Sequence, residues 1–85
     1  SNEALGELLE AYRRYLLRVA RKLMDQRLSA KAGASDIVQE TFREAHRDFL
    51  RFHGSTEAEL LAWLRLVLSR HVVRFGRQFR DTKKR

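Results

Sequence analysis

The chain has 85 residues, of which 44% are hydrophobic, and this limits it to a single domain over residues 1–85 with one compact core. It has no cysteine, which excludes disulfide bonds and cysteine metal sites, and its three histidines lack regular ligand spacing, so we expect no metal and no cofactor. The formal net charge of +7 arises in residues 65–85, where eight basic residues stand against one acidic residue and indicate a polyanionic partner.

The apolar residues follow helical spacing and no proline interrupts them, so the sequence predicts an all-α fold. The first helix is predicted over residues 3–25 and carries one apolar stripe. The stripe consists of Leu5, Leu8, Leu9, Tyr12, Leu16, Val19, Ala20 and Leu23. In the connection that follows, Gly33 suits a chain reversal because glycine tolerates positive φ.

The second helix is predicted over residues 36–52, with Ser35 as its N-cap. Apolar residues recur at steps of four and three on one face, which we expect to be buried. These residues are Val38, Phe42, Ala45, Phe49 and Phe52. The opposite face carries a group that we call the polar patch, consisting of Asp36, Gln39, Glu40, Arg43 and Arg47.

The third helix is predicted over residues 57–79, after a break at 53–56 in which Gly54 ends the second helix. Thr56 and Glu59 have the spacing of a capping box, and Gly76 is expected to weaken the helix. The predicted apolar face contains Leu60, Leu64, Val67, Leu68, His71, Val72, Phe75 and Phe79. Beside it lies what we call the arginine stripe, formed by Arg65, Arg70, Arg74, Arg77 and Arg80.

Three amphipathic helices with short connections predict a compact three-helix domain. No apolar run reaches the about 20 residues that a membrane span needs, and no signal peptide is visible, so we expect a cytoplasmic protein without membrane partners. We expect residues 1–2 to be a cloning remnant, residues 81–85 to be a basic tail or the start of a linker, and the chain to be an excised domain.

Four short segments together resemble region 2 of bacterial sigma factors of the sigma-70 family, most closely the extracytoplasmic-function group. They are DIVQETF at residues 36–42, AHR at 45–47, FHG at 52–54 and AWL at 62–64. The resemblance covers roughly residues 5–80 and implies the same compact all-α fold. It also implies that the polar patch binds a coiled coil of the largest subunit of core RNA polymerase. Asp36, Gln39 and Glu40 would then be the contacts, with Arg43 and Arg47 at the rim, whereas the alternative is an ordinary solvated surface.

The resemblance further implies that the loop before the third helix holds a base flipped out of the non-template strand of the promoter −10 element. Phe52 and His53 would stack on the base, and Ser55 and Thr56 would hydrogen-bond to it, unless Phe52 is core and the rest a plain turn.

The arginine stripe would contact phosphates, or else form a solvated helix face. Many relatives have asparagine near position 70 and an acidic residue near position 74, where this chain has Arg70 and Arg74. Two readings of this difference remain open: a different base or mode of base capture, or stronger phosphate binding with weaker base reading. Trp63 is expected in the core.

The predicted function is therefore that of a sigma factor domain that binds core RNA polymerase and recognises and melts the −10 element. An anti-sigma factor is a further expected partner. We expect no enzymatic activity, because scattered histidines without cysteine offer no nucleophile–base set. Two alternatives remain open: a helix-turn-helix regulator that reads duplex DNA, and a peripheral membrane or protein-interaction bundle.

Overall fold

The computed structural model describes residues 2–24 and 33–83, apart from the side chains of residues 2, 5, 79 and 81–83. The described residues form three α-helices and no strand, which confirms the predicted all-α fold. The helices are α1 (Asn2–Leu23), α2 (Ala34–Arg47) and α3 (Glu57–Lys83), and a 3₁₀ turn occupies Phe49–Arg51. Each helix contacts the other two. Asp25, the predicted end of the first helix, lies outside the described residues, as does most of the connection to α2.

The start of α2 differs from the prediction. The helix begins at Ala34, and its N-cap is Gly33, with no side-chain capping hydrogen bond, so the assignment of Ser35 as N-cap was wrong. The backbone N–H of Asp36 donates to the carbonyl of Gly33 at 3.0 Å, so the helix begins two residues earlier than predicted. Gly33 has φ −59°, so positive φ is not the reason for glycine here.

The end of α2 also differs, because the helix stops at Arg47 and does not reach Phe52. The N–H groups of Arg51 and Phe52 donate three residues back, to Asp48 and Phe49, at 2.9 and 3.0 Å. A 3₁₀ turn thus replaces the last turn predicted for the second helix. Phe49 is 52% exposed, contrary to the prediction, because it lines an open groove beside the end of α2.

In α3 the N-terminal capping box is confirmed and the predicted end is wrong. The N–H of Glu59 donates to Oγ1 of Thr56 at 3.1 Å, and the N–H of Thr56 donates to Oε1 of Glu59 at 3.2 Å. The helix continues past Gly76, which is buried, to Lys83. Within the described ranges, no helix combines the length and apolar character required to cross a bilayer.

One hydrophobic cluster joins the three helices. Its buried members are Leu16, Leu17, Ala20, Met24, Ala34, Ile37, Val38, Ala45, Leu64, Leu68 and Val72. Thr41 is also fully buried, and its hydroxyl donates to the carbonyl of Ile37 at 2.8 Å, which satisfies the polar group inside the core. The sequence analysis placed Leu17, Ile37 and Thr41 in none of the apolar faces.

Two leucines expected in the core line an open groove instead. Leu8 and Leu9 are 42% and 47% exposed. The groove has a volume of about 770 Å³ and lies between the first turns of α1, the end of α2 and the start of α3. No described residue fills it, and this explains why both side chains stay accessible.

We predict that Leu68→Ala lowers the free energy of unfolding by about 2–5 kcal/mol, because Leu68 has no exposed surface and its loss leaves a cavity. Leu66→Ala is the matched control, since Leu66 in the same helix is 51% exposed and should change the value by less than about 0.5 kcal/mol. Urea unfolding followed by circular dichroism measures both, and equal losses would contradict the assigned burial.

Candidate functional site

The polar patch lies wholly on the outside of α2. All five of its residues are exposed, and the carboxamide of Gln39 is among the accessible side chains. Arg43 donates a hydrogen bond to the carboxylate of Glu40 one turn away. An exposed pair of this kind contributes at most about 1 kcal/mol, so the pair does not hold the helix in place. The opposite face of α2 packs against the core through Ile37 and Val38, which are buried, and this packing fixes the position of the helix.

A surface pocket of about 260 Å³ connects the polar patch to α3. Asp36 and Glu40 line it from α2, whereas Arg74 and Gln78 line it from α3. The polar patch and the arginine stripe therefore meet along one edge of the domain. The sequence placed these residues on separate helices but gave no sign that the two surfaces adjoin.

Glu44 links α2 to α3 behind this pocket. Its Oε1 lies 3.0 Å from Nε2 of His71, and its Oε2 lies 4.0 Å from Nη1 of Arg70. The side chains of Glu44 and His71 are only 16% and 12% exposed, so the contact is largely shielded from water. The sequence pattern predicts no role for Glu44 and places His71 only on the apolar face of the third helix.

The loop before α3 is organised around two stacked aromatic rings. The rings of Phe52 and Trp63 have centroids 5.2 Å apart and planes inclined by 25°, and Phe49 lies 6.1 Å from Phe52. Phe52 and Trp63 are half-buried, and Trp63 packs against the core, as expected. One face of Phe52 is therefore occupied by Trp63, whereas His53 is exposed.

Gly54 permits this arrangement by its lack of a side chain. A Cβ atom at this position would lie 2.3 Å and 2.5 Å from two ring carbons of Phe52, and 2.9 Å from Cβ of Glu59. These distances are too short for any L side chain without movement of the ring. Gly54 is thus needed for close approach to the ring, and it does not end α2.

The predicted hydroxyl contacts of the loop are partly engaged within the protein. The hydroxyl of Thr56 donates to Oε1 of Glu59 at 2.9 Å. The backbone N–H of Ser55 and the hydroxyl of Thr56 hold the pKa of Glu59 below its ordinary value. The Glu59 carboxylate is therefore ionised at neutral pH, and its hydrogen bonds to Ser55 and Thr56 order the loop. Ser55 itself is exposed.

The arginine stripe is exposed along its length. Arg65, Arg70, Arg74, Arg77 and Arg80 are all accessible, and the chain has no acidic residue between Leu60 and Arg80. Arg65 donates from Nη1 to the hydroxyl of Tyr15 at 2.6 Å, a contact that joins α3 to α1. All five arginines are therefore accessible, but they lie on both flanks of α3, because Arg65 contacts Tyr15 of α1 whereas Arg70 lies near Glu44 of α2.

In the comparison with protein families, the sequence model of sigma-70 region 2 matches residues 8–84. That range includes the polar patch, the loop before α3 and the arginine stripe. No curated protein and no solved structure gives a significant match.

We predict that Gly54→Ala moves the fluorescence emission of Trp63 to longer wavelength, because the added methyl displaces the Phe52 ring and exposes the indole to water. Trp63 is the only tryptophan, so the signal is specific. Gly6→Ala is the control, since a Cβ at position 6 meets nothing within 4 Å. An unchanged spectrum in the Gly54 variant would show that the stack does not depend on this glycine.

Proposed function

Because the chain belongs to the sigma-70 region 2 family, we propose that α2 binds core RNA polymerase while α3 and the loop before it hold the melted −10 element of a promoter. Membership of this family implies a part in promoter recognition and RNA polymerase binding. The observation that supports these two binding roles is that the polar patch and the arginine stripe are both exposed on one small domain. One surface combines carboxylates with a carboxamide, and the other carries five arginines on a helix that has no acidic residue between Leu60 and Arg80.

The polar patch suits a helical partner. Asp36, Gln39 and Glu40 offer acceptors and one carboxamide on an accessible helix face, and a coiled coil presents charged side chains at matching spacing. Arg43 and Arg47 extend the face toward its rim. We propose the coiled coil of the largest polymerase subunit as the partner, with Glu40 exchanging its bond to Arg43 for a bond to that partner.

The loop before α3 suits a single unpaired base. Extruding a base costs a few kcal/mol, and stacking together with contacts to the base edge must offset that cost. His53 and Ser55 are exposed and available for these contacts, whereas Phe52 is half-buried and one face of its ring packs on Trp63. Thr56 would have to exchange its bond to Glu59 for one to the base.

The arginine stripe supplies affinity for the strand that leads to the loop. Guanidinium groups bind phosphates without regard to sequence, so the stripe would hold the backbone while the loop selects the base. The mechanism is binding without chemistry: capture of the unpaired strand shifts the promoter toward the open state.

The helix-turn-helix alternative fits less well, because it requires a short recognition helix and α3 runs for 27 residues. We further propose that the domain belongs to the extracytoplasmic-function group, since segments 36–42 and 62–64 resemble that group. It would act in the cytoplasm with the polymerase, under control of an anti-sigma factor.

We predict that the double variant Gln39→Ala, Glu40→Ala loses binding to core RNA polymerase while its helix content is unchanged, because both side chains are exposed and leave the core intact. Glu7→Ala, Glu10→Ala is the control: both residues are exposed on α1, and Glu10 pairs with Arg13 as Glu40 pairs with Arg43. A pull-down with core polymerase measures the effect. Equal retention of both variants would refute the assigned role of the polar patch.

We also predict a change in the salt dependence of single-stranded DNA binding. Replacing Arg70, Arg74 and Arg77 by alanine should reduce the slope of log affinity against log salt by about 0.7 for each lost phosphate contact. The control replaces Arg14, Arg18 and Arg21, which are exposed on α1, and removes the same net charge. Fluorescence anisotropy titrations at several salt concentrations give the slopes. If both triple variants lower the slope equally, net charge and not the arginine stripe determines binding.

A further inference from the structure

Tyr12 connects the middle of α1 to the first residue of α3. Its hydroxyl donates to Oε2 of Glu57 at 2.9 Å, although the two residues are 45 positions apart in the sequence. The ring of Tyr12 is only 9% exposed, whereas Glu57 lies at the surface. Because close packing holds a buried ring in place, the hydroxyl offers the exposed start of α3 a fixed point of attachment.

The Tyr12 hydroxyl keeps its proton at neutral pH and can therefore act as the donor. Burial raises the pKa of Tyr12 above its ordinary value, and the hydrogen bond to Glu57 raises it further. A hydrogen bond that ends on a carboxylate is about twice as strong as one between neutral groups. The contact is therefore a firm link between α1 and α3.

The bond lies where apolar packing between the helices is incomplete. The open groove of about 770 Å³ separates the first turns of α1 from the start of α3, and Tyr12 is one of the residues that line it. Leu64 and Leu68 are buried in the core, but Leu60, nearer the start of α3, is only half-buried. Packing therefore holds α3 firmly from Leu64 onward and less firmly at its start, where the hydrogen bond from Tyr12 attaches.

The start of α3 carries the loop that we assign to the unpaired base. The hydrogen bonds of Glu59 reach only three and four residues back, so they fix the shape of the loop and leave its place relative to α1 open. The stack of Phe52 on Trp63 likewise joins the loop to α3. The hydrogen bond from Tyr12 adds the connection to α1.

We propose that Tyr12 is a positioning residue for base capture, and that it acts through Glu57 by holding the loop where His53 and Ser55 meet the base. Tyr12 itself does not touch DNA. A loop held in place before binding loses less conformational entropy when the base enters. The inference rests on the proposed function in that the loop holds an unpaired base. It extends that function to α1, a helix that the proposed function leaves without a role.

The experiment separates what the bases contribute to affinity from what the phosphates contribute. The 85-residue chain is titrated by fluorescence anisotropy against single-stranded homopolymers of each of the four bases and against an abasic strand of equal length. We call the affinity for a homopolymer divided by that for the abasic strand the base ratio. Tyr12→Phe should lower the base ratio toward one by about two- to twelvefold, the range for ordering one further side chain on binding. Affinity for the abasic strand should not change, because phosphate contacts remain.

Variants of the acceptor show whether Tyr12 acts through Glu57. Glu57→Ala should lower the base ratio as Tyr12→Phe does, whereas Glu57→Gln retains an oxygen that accepts the bond and should keep the ratio near that of the parent. The double variant Tyr12→Phe, Glu57→Ala should be no worse than either single variant, because both remove the same bond. Tyr15→Phe is the matched control: it removes the same atom from α1, but that hydroxyl accepts from Arg65 and not from the loop end of α3.

Hydrogen exchange tests the positioning without DNA. In Tyr12→Phe the backbone amides of residues 53–57 should exchange faster than in the parent, while those of residues 64–72 should keep the parent's rates. Tyr15→Phe should leave the loop amides unchanged. Faster exchange throughout the chain would show a general loss of stability and overturn the positioning role.

The outcomes separate the two proposals. If the parent has a base ratio of one with all four bases, the loop captures no base, and its proposed function fails along with the inference. If the parent has a base ratio above one and Tyr12→Phe retains it, the inference alone is overturned. It is also overturned if Tyr12→Phe weakens the homopolymers and the abasic strand equally, or if the effects of Tyr12→Phe and Glu57→Ala simply add.

Discussion

Leu16, Val38 and Leu68 come from three different helices and meet in the core with 1% or less of their surface exposed. Because each is buried, the rotation of α1, α2 and α3 about their own axes is fixed. That rotation determines which side chains remain outside, such as Gln39 on α2 and Arg77 on α3. Core packing thus determines which side chains each helix exposes. A change in core packing would reposition the surface residues even where none of them is substituted.

Periodicity in the sequence was sufficient for the parts of the fold that depend on helix geometry alone. It predicted the burial of Val38, Ala45, Leu64 and Leu68, the exposure of the polar patch and the arginine stripe, and the capping box of Thr56 and Glu59. It could not predict the 3₁₀ turn at Phe49–Arg51, because nothing in a 3.6-residue repeat marks where the winding tightens. Nor could it reveal the stack of Phe52 on Trp63 or the approach of Glu44 to His71, which are contacts between segments distant in sequence.

Several side chains assigned to DNA already have partners within the protein. Arg65 binds Tyr15, Arg70 lies near Glu44, and Thr56 is held by Glu59. A phosphate or base that recruits them replaces an existing contact, so the net gain is smaller than the count of contacts implies. Under the proposed function, the same contacts would hold these side chains in place before DNA binds, which would reduce the conformational entropy cost of binding.

The contact of Glu44 with His71 lies between the helix assigned to the polymerase and the helix assigned to DNA, beneath the pocket where their surfaces adjoin. The core packing and this contact both join α2 to α3. Under the proposed function, side-chain packing between the two helices would therefore set the distance between the bound polymerase and the bound DNA strand.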